Sequence, residues 1–232
     1  MKNIFLLFFI ILTLFSCDSK QPLTALEIWH KHLDTFGDKE TIMQIENAYS
    51  VMLVESKRGI DTMMYYRAKP DKSYMEIVYS GGGRVTYIVN GDQGIIIAPD
   101  TITEMSESRV EDANVMSMIY PEMYFEERGY TFKLLEDETI SDTVYYQLEL
   151  TGPDETTRVL IRKDDFTDYR IYGEDSYMDI LETKEVDGCR IVSEMRNVTD
   201  KPINYGTIIE LKWNVEIPDS IFDLNRYQKK TY

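Results

Sequence analysis

The sequence has 232 residues and a formal net charge of −16, because 41 Asp and Glu outnumber 25 Lys and Arg. Such an acidic surface argues against binding to nucleic acid and against purely electrostatic docking on anionic lipid. Apolar residues make up 43% of the chain, which allows a substantial core. The only cysteines are Cys17 and Cys189, so a cysteine-based metal cluster is excluded as well.

The N-terminus reads as a secretory signal peptide covering residues 1–16. Lys2 precedes an apolar run over residues 4–15 that only Thr13 interrupts. As a helix this run would span about 18 Å, whereas the core of a bilayer is about 30 Å thick and requires roughly 20 residues. Leu14-Phe15-Ser16-Cys17 resembles the lipobox cut by lipoprotein signal peptidase. We therefore expect Cys17 to carry the lipid; the alternative is an ordinary signal peptide with an incidental cysteine.

This interpretation predicts a membrane-anchored lipoprotein of the cell envelope. Residues 17–22 would form the lipidated cysteine and a short polar tether, and residues 23–232 a single domain close to the headgroups. The two acyl chains of a diacylglyceryl group, which a thioether joins to the cysteine, suffice for stable anchoring. The periplasmic face of the outer membrane is the favoured location. With Cys17 lipidated, Cys189 would be the only thiol, so no intramolecular disulfide is possible.

Three helices are predicted. The first covers residues 23–36 and is followed by Gly37, a residue typical of helix ends. A weaker pattern indicates a helix over residues 40–47, and a third covers residues 107–120 before Pro121. The positions that recur at helical spacing are Leu23, Leu26, Trp29 and Leu33 in the first helix, and Val110, Ala113, Met116 or Ser117, and Tyr120 in the third.

The rest of the chain predicts short antiparallel strands. Segments rich in Val, Ile, Thr, Tyr and Met alternate with polar turns such as residues 57–59, 81–83, 90–94, 163–165 and 187–188. The clearest alternation places Tyr146, Leu148 and Leu150 on one face. We count about eleven strands, and a sheet of that size curls strongly. The expected fold is α+β, with helices covering the concave face of a large curved antiparallel sheet.

Three segments carry motifs of a known family. Residues 66–72 end a strand with a basic residue before Pro70, residues 90–99 hold an Asp-Gly type of turn, an apolar strand and Pro99, and residues 213–222 give a closing strand with Pro218 and Phe222. Together with the order of the elements, these motifs resemble the LolA/LolB lipoprotein carriers and the related outer-membrane lipoprotein-sorting proteins. The resemblance implies an unclosed half-barrel whose apolar concave face holds acyl chains beneath helices that cover its mouth.

The sequence departs from that family at two places. The carriers usually have Arg directly before the proline, where it helps to latch the lid, whereas here Lys69 holds that place and Arg67 lies two residues earlier. Lysine cannot make the forked contacts to carbonyls that arginine makes. The strand after the turn usually contains Trp, and here reads Ile95-Ile96-Ile97. We therefore transfer no functional residue from the family.

No catalytic or metal-binding set is predicted, and no cofactor. His30 and His32 lie two apart on a predicted helix, so they point about 200° apart and cannot share a metal. With no other histidine, hydrolase triads are disfavoured. The acidic clusters are expected to be solvated loops, Gly81-Gly82-Gly83 a hairpin turn, and Cys189 a buried thiol.

We predict a non-enzymatic protein, a monomer, that binds acyl chains of a lipid or lipoprotein for sorting or transfer. Flexible methionines suit a cavity for such chains, although plain core packing is an equal alternative. A one-residue register error would move the whole predicted set to the other face. The competing hypothesis is a non-catalytic envelope module whose Tyr-rich surface binds a protein or glycan. The residues predicted to face the cavity are Met63, Tyr65, Met75, Ile77, Ile96, Met116 and Tyr146.

Overall fold

The computed structural model describes residues 21–153, 155–199 and 203–228. The predicted signal peptide over residues 1–16, the lipidation of Cys17 and the turn at 200–202 lie outside these ranges. Among the residues that the structure describes, no helix has both the length and the apolarity needed to cross a bilayer.

Two helices precede six strands, a third helix follows, and eight strands and a last helix complete the order. The helices are α1 (Ala25–Asp34), α2 (Lys39–Met43), α3 (Glu107–Ser117) and α4 (Leu224–Gln228), with 3-10 turns at Pro121–Tyr124 and Asp219–Ile221. Before α3 the strands are β1 (Asn47–Ser56), β2 (Gly59–Ala68), β3 (Lys72–Val78), β4 (Arg84–Asn90), β5 (Gln93–Ala98) and β6 (Thr101–Glu104). After it come β7 (Thr131–Leu134), β8 (Glu138–Ile140), β9 (Thr143–Thr151), β10 (Thr156–Arg162), β11 (Asp168–Tyr172), β12 (Ser176–Val186), β13 (Cys189–Thr199) and β14 (Asn204–Trp213).

All the strands belong to one unclosed antiparallel sheet of 14 strands, so the predicted α+β fold is confirmed. The order across the sheet is β6-β5-β4-β3-β2-β1-β14-β13-β12-β11-β10-β9-β7, and β8 pairs with β9. The first and last long strands therefore meet at its middle. The predicted number of about eleven strands is too low, because β6, β7 and β8 have only three or four residues, too few to show alternation.

The register assigns each side chain to one of two faces. Tyr65, Met75, Tyr87 and Ile96 are successive partners across β2 to β5, so all four point to the same side. We call this side, on which α1 and α3 pack, the inner face. The opposite side is the outer face, and there α4 packs through Leu224 and Tyr227 against a cluster containing Tyr74, Ile88 and Ile95.

Helix α1 begins with a complete capping box, in which Thr24 and Glu27 satisfy each other's backbone N–H groups. It buries Ile28, Trp29 and His32. Leu26, one of the four residues at helical spacing, is 39% exposed, and the buried Ile28 faces the sheet instead. The helix also ends at Asp34, two residues before the predicted limit.

The other two predicted helices are shorter than expected. Helix α2 covers Lys39–Met43 rather than residues 40–47, because Asp38 caps its first turn and β1 starts at Asn47. Helix α3 ends at Ser117, three residues before the predicted limit, and Tyr120 lies in the left-handed region at φ 53°. Tyr120 therefore belongs to the connection between α3 and the 3-10 turn.

Gly37 and Cys189 bring the end of the helical segment onto the sheet. Gly37 has φ +126° and forms an isolated bridge with Cys189, and a Cβ atom there would overlap the carbonyl oxygen of Gly188. Cys189 is fully buried at the start of β13, which confirms the prediction of a buried thiol. Burial raises the pKa of this thiol, so it stays protonated at neutral pH.

Candidate functional site

The inner face is not filled uniformly. Under α1 it is solid, because α1 packs against Leu148 and Leu150 of β9 and Val159 and Ile161 of β10, all of them buried. Under α3 and in the middle of the sheet it leaves two cavities. We call them the α3 cavity and the central cavity.

The α3 cavity has a volume of about 250 Å³ and lies between α3 and strands β2 to β5. Apolar and aromatic side chains form most of its wall, and Arg109 and Asp112 of α3 are exposed at its edge. Its lining residues are Tyr65, Ser73, Met75, Tyr87, Val89, Ile96, Met105, Arg109, Asp112, Ala113 and Met116.

The structure brings four of the seven predicted cavity residues together there: Tyr65, Met75, Ile96 and Met116. Their role in binding a ligand stays a prediction. The sequence analysis missed Tyr87 and Val89 of β4, between which the apolar Ile88 points to the outer face. It also missed Met105, which follows β6 and whose side chain lies against Gly94.

The other three predicted residues lie elsewhere. Met63 and Ile77 are partners of each other on β2 and β3, on the inner face but outside the lining of the α3 cavity. Tyr146 shares the inner face too, but it packs against the solid cluster beneath α1 and stacks with Phe166 at a centroid distance of 6.1 Å. The alternation placed these side chains on the correct face without showing which helix covers them.

Helix α3 is held loosely over its cavity. Only Val110 and Ser117 of this helix are buried, and Met116 is 63% exposed although it also lines the cavity. The N-cap residue Ser106 makes no side-chain capping bond. A hydrogen bond from Asn114 Nδ2 to the carbonyl oxygen of Gly91, 2.9 Å long, ties the helix to the β4–β5 turn.

The central cavity has a volume of about 230 Å³ and lies over β1, β2 and β11 to β14. Phe36 and residues 119–122 border it on the side away from the sheet. Its floor is apolar and consists mainly of Ile171, Met178, Ile180, Ile191, Met195, Ile208, Leu211 and Trp213. Four charged residues also reach it: Arg67, Glu122, Asp168 and Arg190.

Two of these charges neutralise each other. Both terminal nitrogens of Arg190 donate to Asp168 Oδ1 at 3.1 Å. Arg190 Nε also donates to the carbonyl oxygen of Thr35 at 3.1 Å, and Tyr120 donates to the carbonyl oxygen of Arg190 at 2.8 Å. This network joins the end of α1, the sheet and the connection after α3 at one point.

The remaining two charges are less well compensated. Burial raises the pKa of Glu122 to about 6, and Asp168 adds to the effect. Arg67 Nε is buried and has no hydrogen-bond partner among the residues that the structure describes. Burial lowers the pKa of Arg67, although a guanidinium keeps its proton at neutral pH.

Lys69, directly before Pro70, joins strand β2 to helix α2. Its Nζ donates to the carbonyl oxygen of Met43 at 2.9 Å, so the end of β2 is joined to the last turn of α2 by one hydrogen bond. Lys69 Nζ also lies 3.9 Å from Glu46 Oε1, and it makes no forked contact of the kind that arginine makes.

The histidines do not form a reactive pair. His30 is exposed and contacts Glu126 at 2.8 Å, whereas His32 is buried with Nδ1 3.0 Å from the carbonyl oxygen of Phe166. Burial lowers the pKa of His32, which keeps the imidazole neutral. Over the described part of the chain, no group of three His, Cys, Asp or Glu residues is placed to hold a metal ion.

The unclosed antiparallel sheet with helices on its inner face is a fold that several solved structures share. Among solved structures, a LolA superfamily protein from Nitrosomonas europaea matches with a TM-score of 0.58 and 15% identity, covering 88% of this chain and 100% of that one. A putative outer membrane lipoprotein-sorting protein domain from Vibrio parahaemolyticus gives 0.59 and 14%, over 87% and 97% of the two chains. A DUF1329 family protein from Desulfovibrio piger gives 0.60 and 15%, over 88% and 99%.

These likenesses confirm the fold expected from the LolA/LolB resemblance. At 14–15% identity they concern the fold alone. Comparison of the sequence with family models gives no match, and comparison with curated proteins gives none either.

Proposed function

We propose that this chain is a non-enzymatic carrier or receptor that binds acyl chains of a lipid or lipoprotein on its inner face. The observation that carries the proposal is the α3 cavity, whose walls are mostly apolar and whose cover is a loosely packed helix. If the inner face served only as a hydrophobic core, large side chains would be expected to fill this space, since empty volume in a core lowers stability.

The cavity suits a flexible hydrocarbon better than a rigid polar molecule. Met75, Met105 and Met116 can adapt their shape to a chain, and Tyr87 and Ile96 add rigid apolar surface. Each buried methylene contributes about 0.8 kcal/mol. Its volume of about 250 Å³ lies just below the roughly 300 Å³ at which small-molecule sites begin. A long chain therefore requires α3 to move away from the sheet.

Moving α3 away from the sheet is expected to require little free energy. Its attachment consists mainly of Val110, Ser117 and the Asn114–Gly91 hydrogen bond. Elements with few buried apolar contacts open at low free energy, and covering helices and loops are commonly of this kind. The proposed cycle has α3 closed in the empty state and displaced when a chain enters.

The predicted lipidation of Cys17 completes the proposal. An acyl anchor followed by a tether of a few residues would hold the cavity at the membrane surface, where acyl chains become available. A monomer on the periplasmic face of the outer membrane, acting in lipoprotein sorting or transfer, is the setting we favour. The fold shared with the lipoprotein-sorting domain from Vibrio parahaemolyticus supports this choice.

Native mass spectrometry with organic extraction tests the proposal. The chain from Asp18 onward retains every helix and strand described above, and can be purified without its anchor. We expect a co-purifying lipid, or uptake of added fatty acid or lipopeptide. Met116→Glu should abolish binding in the α3 cavity without unfolding the protein, because Met116 is 63% exposed yet lines that cavity. Ile60→Glu is the matched control, since Ile60 is 53% exposed on β2 and lies outside both cavity linings.

A protein that stays empty in the presence of fatty acid and lipopeptide would contradict the proposal. Equal binding by Met116→Glu and Ile60→Glu would place the ligand outside the α3 cavity. An empty protein that is instead cross-linked to one envelope protein or glycan in its native membrane would favour the competing interaction module.

A further inference from the structure

Strand β2 forms the boundary between the two cavities. Tyr65 lines the α3 cavity and Arg67, two residues later on the same face, lines the central cavity. The Arg67 guanidinium carbon lies 5.3 Å from the centroid of the Tyr65 ring. A positive charge therefore stands at the junction of two spaces whose walls are otherwise largely apolar.

Arg67 is unpaired in this position. Its Nε is buried without a hydrogen-bond partner, and no carboxylate lies within ion-pair distance of it in the part of the chain that the structure describes. Arg190, which also lines the central cavity, differs from Arg67, because all three of its guanidinium nitrogens donate hydrogen bonds to Asp168 or Thr35. An uncompensated buried charge is unfavourable, so folding is expected to leave one only where a partner arrives later.

The surrounding charges leave room for an anion. Asp168 is engaged by Arg190, and the phenol of Tyr120 has a pKa raised by burial, so it stays neutral. Glu122 is the one other acid that lines the cavity, and burial raises its pKa to about 6. Glu122 forms no ion pair with Arg67 in the described residues, but the two charges attract each other, so an incoming anion competes with this carboxylate above about pH 6.

We propose that Arg67 binds the anionic headgroup, a single carboxylate or phosphate, of an amphiphile whose acyl chain lies along the apolar floor of the central cavity. The floor residues Ile180, Met195, Ile208 and Leu211 offer continuous apolar surface beside the guanidinium. Guanidinium binds carboxylate or phosphate in a forked geometry, and exclusion of water strengthens that contact. This inference rests on the proposed function and adds the charge class of the ligand.

Fluorescence quenching by dibrominated stearic acid and by its methyl ester tests the inference on the chain from Asp18 onward. Trp213 lines the central cavity, whereas Trp29 is buried beneath α1, so a bound brominated chain should quench Trp213. We expect the acid to bind more tightly than the neutral ester. Because a hydrogen bond to a charged group contributes substantially, Arg67→Met should weaken binding of the acid roughly ten- to hundredfold and leave the ester unchanged.

Two further variants control for folding and for charge in general. Arg67→Lys keeps the positive charge and should retain part of the preference for the acid. Arg84→Met removes a 64% exposed arginine that pairs with Glu76 outside both cavity linings, and should leave both ligands unaffected. Circular dichroism melting should show that Arg67→Met is folded.

The outcomes separate this inference from the proposed function. Equal affinity for acid and ester, or an equal loss of both in Arg67→Met, would overturn the inference and leave acyl-chain binding intact. Absence of Trp213 quenching by both ligands would also overturn the inference, whereas acyl-chain binding in the α3 cavity is decided separately by the native mass spectrometry described above. Inorganic phosphate that binds as tightly as the brominated acid would show a site for free anions and would overturn the assignment to an amphiphile.

Discussion

The two halves of the inner face differ in what their helices do. Beneath α1 the sheet carries Leu148, Leu150, Val159 and Ile161 in a packed cluster, and Trp29 fills the centre of that cluster. Beneath α3 the corresponding positions of β2 to β5 line a cavity of about 250 Å³. One sheet thus supports a conventional core at one end and an open apolar space at the other.

The helix sequences explain the difference. Helix α1 has a capping box and presents Ile28, Trp29 and His32 to the sheet, so it contributes large side chains to the interior. Helix α3 presents Val110, Ala113 and Ser117, which are too small to fill the space, and leaves Met116 largely exposed. We conclude that α1 stabilises the fold, whereas α3 has the properties of a movable cover.

The largest expected effect on the unfolding free energy comes from a substitution in the packed cluster beneath α1. Trp29→Ala removes a side chain that is 1% exposed and stacks on Phe125 at a centroid distance of 5.7 Å. Loss of a buried aromatic residue costs about 3–5 kcal/mol of unfolding free energy. Urea unfolding followed by circular dichroism measures the loss. A decrease as small as that of an exposed-site substitution would show that the α1 cluster is not the main core.

The next effect concerns the network that joins α1 to the middle of the sheet. Asp168→Asn leaves Arg190 buried without its counter-charge, and we expect a loss of about 3 kcal/mol in unfolding free energy. Asp164→Asn is the matched control in the turn that precedes β11, because Asp164 is exposed. Equal unfolding midpoints for the two variants would contradict the role assigned to the Asp168–Arg190 pair.

A smaller, pH-dependent effect is expected at Glu122. Its pKa in the folded protein is about 6, above the ordinary 4.5, so the folded state holds this proton more tightly than the unfolded state. The wild type therefore loses stability relative to Glu122→Gln as pH rises from about 4.5 to 6. The difference corresponds to about 2 kcal/mol in favour of Glu122→Gln at pH 7.5 and to almost nothing at pH 4.

Unfolding curves at pH 4 and pH 7.5 measure this difference. A gain of the same size at both values would show that the glutamine acts through packing and not through the charge. A loss at pH 7.5 would show that the carboxylate has a stabilising partner in the folded state.

Much of this architecture follows from local patterns in the sequence. The alternation of Tyr146, Leu148 and Leu150 gave the inner face of β9 correctly, and that of β2, β3 and β5 brought Tyr65, Met75 and Ile96 to one cavity. Alternation reports the face of a strand because side chains have a period of two. It contains no information about which helix will lie above that face, and Tyr146 therefore lies beneath α1 and not in the α3 cavity.

The central cavity could not be predicted, because it depends on contacts between distant parts of the chain. Arg67 lies on β2, Asp168 on β11 and Arg190 on β13, and only the meeting of β1 with β14 brings them around one space. One signal was present in the sequence. Met63, Tyr65 and Arg67 alternate on the inner face, so a charge occupies a position that the pattern reserves for apolar residues.

The smallest expected effect on stability is also the sharpest test of the contrast between the helices. Met116→Ala should change the unfolding free energy by no more than about 0.5 kcal/mol, because the side chain is 63% exposed. It should nevertheless weaken binding of a fatty acid in the α3 cavity by roughly fifteenfold, since about two buried methylene equivalents, or about 1.6 kcal/mol, are lost from the contact. Urea unfolding and fluorescence titration on the same sample give the two values. A loss of stability without a loss of affinity would mean that Met116 packs in the core. Helix α3 would then stabilise the fold as α1 does, and would not be a movable cover.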